Sequence, residues 1–145
     1  MRATSRAQPA RSGVGWGRVS TSRGSFAADY DDDGDIDVAV SSSGGPALLL
    51  RNDGGNDGNF LMIRARGTLN REGIGARVRA VAGDLVQTRE IRRGYGYMGS
   101  NDVRLHLGLG SRTRVDSLQI RWPSGIERSF EHVLVNRELT ATEPK

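Results

Sequence analysis

Hydrophobic positions in this chain come in short bursts that alternate with polar ones, and most bursts are closed by glycine, proline, serine or aspartate. Ile36, Val38 and Val40 alternate with Asp37 and Ala39. Val103, Leu105, Leu107 and Leu109 alternate with Arg104, His106 and Gly108. Leu118, Ile120 and Trp122 alternate with Gln119 and Arg121. A period of two places one set of side chains on a buried face and the other in water, as in a half-buried β-strand. Three short strands are predicted over 25–28, 36–40 and 47–50. Seven more are predicted over 60–66, 76–82, 85–91, 103–109, 115–122, 126–130 and 132–142. No segment keeps a helical period for more than two turns. Gly83-Asp84 and Pro123-Ser124-Gly125 supply turn chemistry between neighbours, since proline presets φ and glycine accepts positive φ. The expected fold is all-β, with one hairpin built around a loop followed by an antiparallel, sandwich-like domain.

Composition agrees with many tight turns: 20 of 145 residues are glycine and aromatics make up 6%. There is no cysteine, which removes disulfides, zinc-thiolate and iron–sulfur sites and cysteine nucleophiles. A chain of this length buries enough surface to hold a core without such staples. No stretch approaches the roughly 18 apolar residues of a membrane span, and the first 20 residues lack the apolar centre of a signal peptide. The expectation is no membrane span and no export signal.

The net charge of +4 conceals a strong segregation. Residues 1–28 carry five arginines and no acid. Residues 29–57 carry one arginine against eight aspartates, and residues 58–145 carry fifteen cations against nine acids. An anionic segment therefore lies between two basic ones. The organisation read from this is a basic flexible tail over 1–24, the loop hairpin over 25–52, a Gly-rich linker over 53–59 and a β domain over 60–143.

The run DYDDDGDID sets carboxylates at relative positions 1, 3, 5 and 9, with glycine at position 6, and holds six carboxylates in nine residues. So many like charges in one compact loop repel unless a cation neutralises them. Calcium accepts 6 to 8 oxygens in a flexible geometry, and Gly34 allows a sharp turn around it. Side-chain ligation is assigned to Asp29, Asp31, Asp33 and Asp37, with the backbone carbonyl of Asp35 as a further ligand. An EF-hand is excluded, because position 12 is Val40 in a strand pattern rather than a bidentate glutamate. A solvated acidic turn and a magnesium site are the competing readings. A structural clamp is expected rather than catalysis, and no acid–base pair converges by spacing, so the chain is read as a non-enzyme.

The segment FAADYDDDGDIDVAV followed by GGPALLLRN resembles one FG-GAP (VCBS-type) repeat, the calcium-loop hairpin of integrin-like β-propellers. Downstream, GIGARV, GYGYMGSND, LHLGLG, VDSLQIRWPSG and a late Asn136 resemble the ASPIC/UnbV domain over about 60–143. Together they are similar to the C-terminal end of cartilage-acidic-protein-like proteins. The resemblance implies calcium binding and an extracellular or periplasmic adhesion or recognition role, with a protein or glycan ligand at the cell surface. A single hairpin cannot close a propeller. Either the chain is a fragment whose upstream blades are missing, or the hairpin packs on the C-terminal domain.

The alternative function is polyanion binding, to RNA or a sulfated glycan, through Arg92, Arg93, Tyr95 and Tyr97, where cations sit beside stacking rings. Gly73-Ile74-Gly75 precedes a strand rather than a helix and reads as a turn, not a phosphate loop. His106 and His132 have no sequence reason to meet. Trp122 extends the Leu118, Ile120 stripe and reads as core.

Overall fold

The computed structural model describes residues 21–54 and 57–145, so most of the expected basic tail, including Trp16, lies outside the described residues. Ten strands make up the regular structure of the described residues, in three sheets, with no helix among them. The all-β reading holds. Two compact units divide the chain: residues 1–57 with 94–102, and residues 58–93 with 103–145.

In the first unit, β1 (Ser22–Ala28), β2 (Asp37–Ser42) and β3 (Leu48–Leu50) form an antiparallel meander. The register pairs Ala28 with Asp37 and Val38 with Leu50, so both ends of the acidic loop are held at one end of the sheet. β1 starts three residues before the expected strand, inside the span read as tail. Residues 94–102 belong to this unit, although the sequence reading placed them in the downstream domain. Asn101 Oδ1 accepts the Ala27 N–H at 2.8 Å, and the Asp102 N–H donates to the Ala27 carbonyl at 3.2 Å. The approach is close enough that a Cβ on Gly99 would lie 2.7 Å from the Ser25 carbonyl oxygen. Glycine is required there by backbone proximity.

The second unit packs a three-stranded sheet, ordered β10-β4-β7, on a four-stranded sheet, ordered β6-β5-β8-β9. Its strands are β4 (Asn59–Arg66), β5 (Arg77–Ala82), β6 (Leu85–Glu90), β7 (Leu105–Gly110), β8 (Arg114–Arg121), β9 (Glu127–Leu134) and β10 (Arg137–Thr142). Alternate residues fill the space between the sheets: Leu61 and Ile63 from β4, Leu107 and Leu109 from β7, Val78 and Ala80 from β5, Leu118 and Ile120 from β8. Trp122, just past β8, joins them and is 2% exposed.

Two strand expectations are corrected. The break placed between Phe130 and His132 falls instead at Val135 and Asn136, because β9 keeps its register with β8 from Phe130 through Val133. The hairpin rule fails for β10, which runs parallel to β4, pairing Arg137 with Leu61 and Thr142 with Arg66. Parallel neighbours need a long crossover, and here nearly the whole domain lies between them. Asn136 fixes that junction. At φ 56° it donates its N–H to the Phe60 carbonyl at 2.6 Å, and its Oδ1 accepts the Phe60 N–H at 3.1 Å.

Candidate metal centre

The acidic loop leaves β1 at Ala28 and enters β2 at Asp37, and its aspartates are sorted by backbone geometry rather than by charge. Asp29 and Asp37 are 4% and 2% exposed, which for carboxylates demands compensation. Asp29 receives it from the N–H groups of Asp33 and Gly34, each at 3.1 Å. Asp37 receives the Tyr30 N–H at 2.9 Å and the Asn52 N–H at 2.7 Å, one on each oxygen. Gly34, at φ 98°, turns its amide toward Asp29, a conformation that side chains rarely adopt.

Oxygens of Asp29, Asp31 and Asp37 lie within 4.8 Å of one another, and theirs is the metal-capable cluster among the described residues. Asp33 is not in that group, and its Oδ1 accepts the Asp35 N–H at 2.9 Å, closing a local turn. Asp35 is buried and Asp32 is exposed. The structure thus brings together the carboxylates of three of the four residues expected to ligate through their side chains, Asp29, Asp31 and Asp37.

Two residues of the site escaped sequence reading. Arg51 Nε lies 3.1 Å from Asp31 Oδ2 and also pairs with Asp53. Its guanidinium is held still more firmly in the charged state, chiefly by the hydrogen bond to Asp53 and next by the charge of Asp31. Asn52 supplies the amide that holds Asp37, while its own side-chain oxygen is buried without a donor among the described residues. Extending the Val38–Leu50 register by one step sets Asp37 opposite Arg51, so pairing delivers both residues to the loop. Pairing alone could have revealed them.

These donors suit a hard divalent cation. Three carboxylates converge, Arg51 pairs with one of them, Asp31, and the orphaned Asn52 oxygen is a neutral donor of the kind calcium accepts.

The other candidates fare differently. Arg92 makes a bidentate pair with Glu90, at 3.0 and 3.1 Å, and Arg93 reaches Glu72 at 2.9 Å. Tyr95 and Tyr97 are 61% and 71% exposed. Both arginines therefore already hold carboxylates. His106 stacks on Phe60 with ring centroids 5.4 Å apart, and His132 lies in β9. Gly73, at φ 63°, forms a turn ahead of β5.

Sandwich and acidic hairpin define a two-unit, all-β module. The chain belongs to the ASPIC and UnbV family, whose model matches residues 67–145, more than half of its length. No curated protein matches the chain. No helix of the described residues is long and apolar enough to cross a membrane.

Proposed function

We propose that this chain is a non-enzymatic, calcium-binding β module of an extracytoplasmic adhesion or recognition protein. Its first unit is read as an FG-GAP/VCBS-type repeat of the kind found in cartilage-acidic-protein-like chains. The observation that carries this is the convergence of Asp29, Asp31 and Asp37 within 4.8 Å, two of them buried and held by backbone amides. Asp29, Asp31 and Asp37 would supply the charged oxygens and Asn52 a neutral one, with Asp33 and Asp35 bracing the loop. Bound calcium would cancel the mutual repulsion of the carboxylates and stiffen the β1–β2 connection. The ion acts as a clamp, so that the module presents a fixed surface to a protein or glycan at the cell surface.

Isothermal titration with calcium on the intact chain tests the reading. Saturable heat is expected, lost in Asp29→Asn plus Asp31→Asn and absent with an equal concentration of potassium. Equal heat in the double variant would defeat the ligand assignment.

A further inference from the structure

At the end of the four-stranded sheet farthest from the β5–β6 turn, Arg77 of β5 lies directly opposite Arg121 of β8. Like charges at facing positions of an antiparallel pair repel, and such pairs persist when something neutralises them. The neighbouring acids do so only in part. Glu90, the partner of Arg77 on the other side, gives both its oxygens to Arg92, and its contact with Arg77 Nε is 3.9 Å. Glu127, the partner of Arg121, accepts from Gln119 at 2.8 Å, and its contact with Arg121 Nε is 3.6 Å. Among the described residues neither guanidinium donates a hydrogen bond. Their side chains are 73% and 62% exposed. Two largely exposed guanidiniums, each with N–H donors on a planar fork, therefore stand on facing positions of adjacent strands.

These two arginines also line a cleft of about 260 Å³ that Gly75, Trp122, Pro123 and Gly125 complete. The walls are two turns, one before β5 and one after β8. Their spacing is fixed: a Cβ on Gly75 would stand 3.2 Å from Pro123 Cγ, and the Gly75 N–H is tied to the Ile91 carbonyl at 2.9 Å. A water takes about 30 Å³, so the cleft has room for an anion and the body that carries it.

We infer that the Arg77–Arg121 cleft is a binding site for a small ligand bearing a carboxylate, sulfate or phosphate group, held by the paired guanidiniums. Planar and tetrahedral oxyanions match the fork of a guanidinium, and two forks side by side can grip one anion from two directions. The rigid turns provide shape; the arginines provide a charge that the sheet compensates only in part. The site lies wholly in the second unit and owes nothing to calcium.

The Trp122 indole N–H is buried without an acceptor among the described residues, and it serves as the reporter. The ¹⁵N–¹H spectrum of the intact chain is followed during titration with sodium sulfate, sodium glucuronate and glucose at constant ionic strength. Saturable shifts of the Trp122 indole and the Arg121 amide are expected with either acid and not with glucose. In Arg77→Gln and in Arg121→Gln the apparent affinity should fall about tenfold or more. Arg114→Gln, at the opposite end of β8, should leave it unchanged. A response to sulfate alone assigns a free inorganic anion, and a stronger response to glucuronate assigns the acid group of a sugar. No saturable shift with either, or shifts equal in the wild type and both arginine variants, would overturn the inference.

Discussion

The backbone N–H of Asn52 donates to Asp37 Oδ1 at 2.7 Å, so the residue after Arg51 holds the last aspartate of the acidic loop in place. The Tyr30 N–H occupies the other oxygen of the same carboxylate. Asp37 is thus a hub for two backbone amides as well as a candidate ligand. Replacing it with alanine strands both donors beside a buried site. An unsatisfied buried donor costs about 1–3 kcal/mol, so Asp37→Ala should lower the stability of the first unit by roughly 2–4 kcal/mol even without calcium. Hydrogen exchange at the Tyr30 and Asn52 amides checks this, with strong acceleration expected in the variant.

Asp31 should behave in the opposite way. It is exposed, contributes one oxygen to the cluster, and pairs through its Oδ2 with Arg51 Nε at 3.1 Å. Asp31→Asn should leave the apo unfolding midpoint within about 0.5 kcal/mol of the wild type, as surface changes usually do, and remove most calcium heat.

Arg51 is a tethered cation competing for that carboxylate. Removing it as Arg51→Gln should raise calcium affinity several-fold, because the incoming ion no longer displaces an internal charge. Titration at low ionic strength reads this most clearly, since screening weakens exposed pairs. Unchanged or weaker affinity would show that Arg51 positions Asp31 for the metal instead.

Glu143 sets the acid limit of the second unit. Only 4% exposed, it accepts the Ser124 hydroxyl on one oxygen and the Thr68 N–H and hydroxyl on the other, the last at 2.7 Å. These donors, Ser124 first, hold its carboxyl below the ordinary glutamate range. A depressed folded pKa favours the ionised, folded form. The contribution is complete above the unfolded value of about 4.3 and is lost as pH falls through the folded one. Urea midpoints for the wild type should fall as pH drops below 4. Glu143→Gln should be less stable at pH 7 and show a shallower acid slope.

Gly73 anchors the turn ahead of β5. A Cβ there would lie 2.7 Å from both the Ala65 side chain and its carbonyl oxygen, at a φ of 63°. Left-handed strain of about 1–2 kcal/mol adds to the clash, so Gly73→Ala should cost about 2–5 kcal/mol. Gly83→Ala, at φ 59° with nothing within 4 Å, should cost only the strain. Denaturant midpoints separate the two.

Local chemistry explains what could be read along the chain. Alternation of apolar and polar residues over 103–109 and 118–122 reports which face of a strand meets the core, because successive side chains point opposite ways. The aspartate spacing likewise sets the loop from Asp29 to Asp37 without reference to anything distant. Trp122 was legible as core because it continues a stripe. The end of β9 was not: a break is expected at Glu131 and a new strand from His132, whereas the β8 ladder carries β9 on to Leu134.

Sequence by itself determined most of the strands, the acidic hairpin and the all-β class, all of which follow from neighbours a few positions apart. Tertiary structure alone decided which carboxylates meet, that Asn52 and Arg51 join them, and that residues 94–102 run beside β1. It also decided that β10 pairs in parallel with β4 and that Arg77 faces Arg121. These are contacts between residues far apart in the chain, fixed by strand register, and no local pattern encodes the register of a partner strand.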